Sequence, residues 1–147
     1  MRLKSGTALL MLLFFFCSPS EQLQAAERIN LTYIVASNEG TDIDLDNDAY
    51  RDEMIRLFSY SSYRQLDQRA VELESQQPQT VSIPEGYELV LTVRESQPER
   101  NTVQAVIRKG GQTYVDTVLT LVKPGVFFLG GPPAEKGALI IVLEMGF

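Results

Sequence analysis

The chain has 147 residues, 13 Lys and Arg against 19 Asp and Glu, a single cysteine, and neither histidine nor tryptophan. Without histidine there is no imidazole acid–base chemistry, and with Cys17 as the only thiol there is no cysteine nucleophile or ordinary His/Cys metal site in the body of the chain. A net charge of −6 with scattered basic residues disfavours binding to nucleic acid or to an anionic membrane surface.

The N-terminus has the layout of an export signal. Arg2 and Lys4 precede an uncharged Leu- and Phe-rich run over residues 7–17, Pro19 ends it, and small residues lead to Ala25 and Ala26. The run has eleven residues, whereas a spanning helix needs about 20, so a permanent membrane span is not expected. Cleavage falls after Ala26 or after Ser20; the first is preferred because strand-like sequence starts directly behind it. Phe14, Phe15 and Phe16 before Cys17 argue against a lipoprotein, which wants a small residue there. The expected organisation is a signal peptide over 1–26 and one domain over 27–147. Removing the signal takes away Arg2, Lys4 and Glu21, leaving 11 basic and 18 acidic residues, a net −7. It also takes away Cys17, so the mature domain must fold without a disulfide.

Residues 29–36 read as a strand, apolar on both faces and therefore central. An acidic stretch follows over 42–53. Within it Tyr50, Met54, Leu57 and Phe58 recur at helical spacing, which predicts a helix over 47–58 capped by Asp46, Asn47 or Asp48. From Tyr63 to Leu73 the period is two, but Leu66 falls on the opposite phase from Val71 and Leu73, and a β-bulge accounts for the slip. Short strands are then predicted over 80–83, 87–94, 103–107, 114–121, 126–129 and 138–143, separated by turn residues. Gly110-Gly111 marks a two-residue hairpin turn. The predicted fold class is α+β: one helix in the N-terminal half, packed on a curved, mostly antiparallel sheet of about seven to eight strands.

Asp42, Asp44, Asp46 and Glu53 occupy positions 1, 3, 5 and 12 of a calcium loop counted from Asp42. Position 6 is Asn47 rather than Gly, positions 2 and 4 are the apolar Ile43 and Leu45, and a strand rather than a helix precedes. An acidic N-terminal cap on the helix explains the same residues and is preferred. No catalytic, metal or cofactor-binding residue is assigned. Tyr60 and Tyr63, at the helix end, are candidate interface aromatics, with ordinary packing as the simpler account.

Three segments together resemble an uncharacterised family of small secreted bacterial proteins: Leu57-Phe58-Ser59-Tyr60-Ser61-Ser62-Tyr63-Arg64, Lys109-Gly110-Gly111-Gln112, and Leu129-Gly130-Gly131-Pro132 followed by Gly137-Ala138-Leu139-Ile140-Ile141. The sequence departs from that pattern at Pro84-Glu85-Gly86, where a Pro-Gly-Gly turn is expected. The resemblance implies a Gram-negative periplasmic or envelope location and brings no activity or cofactor. The expected function is a non-enzymatic accessory protein that contacts an envelope or periplasmic protein. The alternative is a ligand- or calcium-binding module, and the least favoured is a carboxylate-based hydrolase of envelope polysaccharide.

Overall fold

A computed structural model describes residues 26–146. The expected export signal, with Cys17 and the alternative cut expected after Ser20, lies outside the described residues; only Ala26 falls within them. The elements in order are β1 (Glu27–Ser37), β2 (Ile43–Asp44), α1 (Asp48–Leu57), β3 (Ser62–Leu73), β4 (Gln79–Ile83), a 3-10 turn (Pro84–Gly86), β5 (Tyr87–Gln97), β6 (Arg100–Lys109), β7 (Gln112–Val122), β8 (Gly125–Ala134) and β9 (Gly137–Met145). The protein is α+β with mostly antiparallel strands, as the sequence predicts.

The strands divide into two sheets. One has the order β2-β3-β1-β9-β8 and the other β4-β5-β6-β7. Every pairing is antiparallel except the short β2–β3 contact. The two sheets face each other across one large core. Its fully buried members include Ile29, Leu31 and Tyr33 from β1, Leu89 and Leu91 from β5, Ile107 from β6, and Leu139, Ile141 and Leu143 from β9. These are alternate residues along each strand, because successive side chains of a strand point to opposite faces.

The other face of the five-stranded sheet carries α1. Ile34 and Ala36 of β1 and Ile140 and Val142 of β9 form a smaller core there with Tyr50 and Met54 of the helix and Tyr63 of β3. β9 is therefore apolar on both faces because it lies between the helix and the second sheet, and β1 shares this position over its second half. Glu144 on the helix-facing side of β9 accepts a hydrogen bond from the Tyr50 hydroxyl, which gives the one carboxylate of β9 a partner.

Local signals hold in detail. Asn47 is the N-cap of α1, its side-chain oxygen accepting from the Ala49 amide at 3.0 Å. Gly110 and Gly111 have φ of 56° and 80°, the double positive φ of a tight hairpin between β6 and β7. The register between β1 and β3 slips where Tyr33 pairs with Asp67 and Ile34 with Gln65, so Leu66 is the bulged residue.

Three readings need correction. The strand predicted to end at Leu129 continues through Gly130-Gly131-Pro132-Pro133 to Ala134, because an irregularity between Gly130 and Pro133 absorbs residues that cannot continue a regular ladder. Leu57, which its spacing sets on the apolar helix face with Tyr50 and Met54, is 48% exposed, and Met54 is the fully buried helix residue. The helix ends at Leu57, with Phe58 already extended (φ −125°), so no further turn brings the Leu57 face down onto the sheet.

Candidate functional site

The described surface carries an open, polar cleft of about 510 Å³. Six chain segments wall it. The end of β1 supplies Ser37, the β1–β2 connection Glu39 and Asp42, β2 and the start of β3 Asp44 and Arg64, the 3-10 turn Glu85, and the β8–β9 turn Glu135 and Lys136.

The loop from Asn38 to Asp42 is tied to the start of β3. The Ser61 amide donates to Asn38 Oδ1 at 3.2 Å, Ser61 Oγ donates to the Gly40 carbonyl at 2.7 Å, and the Tyr63 amide donates to the Asp42 carbonyl at 2.9 Å. On the opposite wall, Glu85 adopts a left-handed conformation (φ 66°), which few non-glycine residues hold without support. Lys109 Nζ donates to the Glu85 carbonyl at 2.7 Å while lying 4.8 Å from the centre of the Tyr87 ring. The Glu135 amide donates to Glu85 Oε2 at 3.3 Å, joining the turn to the β8–β9 hairpin. Lys136 and Glu39 pair across the cleft mouth at 3.2 Å, both about two-thirds exposed, a geometry worth little to stability.

The cleft thus presents five carboxylates (Glu39, Asp42, Asp44, Glu85 and Glu135) against two cations (Arg64 and Lys136). All seven side chains are exposed. Such a surface receives cationic groups through charge-assisted hydrogen bonds.

The calcium-loop candidates are not gathered around one point. Ile43 and Leu45 pack toward the small core, so the alternate residues Asp42, Asp44 and Asp46 lie along an extended segment rather than a wrapped loop. Asp46 accepts from Gln65 Nε2 at 2.7 Å, and Glu53 pairs with Arg56 on the exposed face of α1. Among the described residues no group of three or more His, Cys, Asp or Glu side chains is arranged to hold a metal ion.

Of the two tyrosines proposed as interface aromatics, Tyr63 is buried and hydrogen-bonded to the helix end. Tyr60 is half-buried and meets the Tyr63 ring edge to face, with centroids 6.5 Å apart. Packing accounts for both. The sequence reading missed Glu39, Glu85, Glu135 and Lys136. They come from three distant turns, and three of the four share a local mark: Glu39-Gly40, Glu85-Gly86 and Lys136-Gly137 each place a charge before a positive-φ glycine.

Comparison with protein-family models, with curated proteins and with solved structures finds no match. The likeness to small secreted bacterial proteins rests on the quoted segments alone.

Proposed function

We propose that this is a non-enzymatic accessory protein of the bacterial envelope or periplasm, acting by contact with another exported protein through the cleft. The observation that carries this reading is the cleft itself. Six chain segments converge to display an excess of carboxylate, and a left-handed Glu85 is held in place at its wall. The chemistry it offers is docking of a partner segment bearing Lys or Arg, with Arg64 and Lys136 placed to select the register of that segment. The composition agrees: a chain without histidine, and with its only cysteine in the signal, has few routes to catalysis. The export signal sets the compartment.

A photo-crosslinking side chain at Ser62, on the cleft wall, tests this in intact cells. The expected result is a discrete adduct with one exported protein, lost when Glu39→Lys, Asp42→Lys and Glu135→Lys are combined and weakened by added salt. A full set of adducts surviving that triple change sinks the reading. So does recovery of the protein in the cytoplasmic fraction.

A further inference from the structure

Two open sheets leave edges, and an edge strand is a template for pairing unless something blunts it. Three of the edges here are blunted. β2 is two residues long, and the β3 rim beyond it carries Asp67, Arg69 and Glu72. β4 is five residues long, set between Pro78 and Pro84. β8 contains Pro132 and Pro133 and an irregular register. β7 is the least guarded of the four. It is eleven residues long, contains no proline, lysine or arginine, and pairs on one side only, with β6. Its one charge is Asp116, and Val118 on its outer face is 60% exposed. The bulge at Tyr114, where the β6–β7 register slips, lies near the start of the strand and leaves residues 115–122 regular.

We infer that β7 is a dimerisation seam, where a second copy of this chain adds its own β7 antiparallel about a twofold axis at Val118. The two four-stranded sheets then become one of eight strands. The strand's own pattern selects both the occupant and the register. With the axis at Val118, each Val118 faces its counterpart, Asp116 faces Thr120 of the second copy, and on the inner side Thr117 faces Leu119 and Val115 faces Leu121. The two Asp116 carboxylates are then four residues out of step, about 13 Å along the strand. An axis at Asp116 opposes the two carboxylates directly, which is destabilising, and an axis at Thr117 sets each carboxylate against Val118. At the Val118 axis the carboxylate instead meets a hydroxyl donor. Gln104 Nε2 already donates to Asp116 Oδ1 at 2.8 Å, which leaves Oδ2 for Thr120 of the second copy. The seam shares no residue with the cleft, so it stands or falls independently of the proposed function.

The test is sedimentation velocity of the processed protein purified from cells, with a cysteine register series. The expected results are a dimer that dissociates on dilution, and a dissociation constant raised at least about tenfold by Val118→Lys, which sets two ammonium groups across the axis. Val118→Lys changes an exposed side chain, and an unchanged thermal midpoint of the dilute monomer shows that the fold is intact. Val118→Cys should oxidise to a linked dimer, because directly opposed Cα atoms lie about 4.5–5.5 Å apart. Asp116→Cys, out of reach of its counterpart, should not. A monomer at every concentration, a dimer indifferent to Val118→Lys, equal crosslinking of both cysteine variants, or β7 found paired with a strand of a different protein each overturns the inference.

Discussion

The Tyr63 hydroxyl lies 2.6 Å from the Phe58 carbonyl oxygen and donates to it, so the first turn of β3 holds the last carbonyl region of α1. The Tyr60 amide in turn approaches the same hydroxyl at 3.4 Å, and the Met54 carbonyl lies 3.2 Å away. A helix end leaves carbonyls without intrahelical partners; here a buried phenol closes that end and fixes the chain between helix and strand. Tyr63→Phe keeps the ring packing and removes only the hydroxyl. It should cost about 1–2 kcal/mol, since a partly buried carbonyl loses its donor. Tyr60→Phe should be near neutral. Denaturant unfolding of both variants makes the comparison.

Burial separates two apolar residues that the sequence treats alike. Ile141 is fully buried between the sheets, and Leu57 is 48% exposed at the end of α1. Ile141→Ala should destabilise by about 2–5 kcal/mol through lost transfer energy and a residual cavity. Leu57→Ala should cost under about 1 kcal/mol, because half the side chain is already in water and alanine favours the helix. Equal losses in the two variants mean that the helix end docks more deeply than described.

Where a single residue's chemistry decides the outcome, the sequence was readable. Asn47 caps because its side chain can reach an amide two residues on, Gly110-Gly111 turns because both positions need positive φ, and Leu66 announces its bulge by falling out of phase. The division into two sheets was not readable. Alternating strands of one curved sheet and of two facing sheets have the same inward pattern, and only β9 and the second half of β1, apolar on both sides, hint at a layer above and below. The cleft was less readable still. Asp42 and Asp44 drew attention as a run, whereas Glu39, Glu85, Glu135 and Lys136 meet them only through the folding of distant turns.

The acidic segment should behave as a solvated surface. Asp42→Asn combined with Asp44→Asn should change stability by no more than about 0.5 kcal/mol, since both side chains are exposed. Removing two like charges from a cleft that also holds Glu39 can even stabilise slightly. Chelator should leave the melting temperature unchanged, and calorimetric titration with calcium should give no heat. A calcium-dependent rise in melting temperature, abolished by the double change, is the result that restores a metal loop.

Stability should fall on the alkaline side through the buried phenols. Burial pushes the Tyr33 hydroxyl up to about 12, against lowering by Arg69 and aided by Asp67; Tyr50 is also pushed up to about 12, by burial and by its hydrogen bond to Glu144. Burial raises Tyr63 and Tyr87 in the same direction. A folded-state pKa above the unfolded value near 10 means that the unfolded chain releases its phenolic protons first as pH rises. The stabilisation is therefore fully present below about pH 10 and lost between about pH 10 and 12, on the order of 2 kcal/mol for each of Tyr33 and Tyr50. Tyr33 discriminates this cause from general alkaline denaturation. Its side chain is fully buried, its hydroxyl has no hydrogen-bond partner among the described residues, and Arg69 sits 5.6 Å from the ring centre. Tyr33→Phe should be neutral or stabilising at neutral pH, because it removes a buried hydroxyl that gains no protein partner. It should also flatten the loss of stability between about pH 10 and 12, where the wild-type phenol ionises on unfolding. Urea unfolding midpoints across that range, for wild type and Tyr33→Phe, read both effects. Parallel curves for the two proteins mean that Tyr33 ionises as freely in the folded chain as in the unfolded one, which contradicts its burial between the sheets.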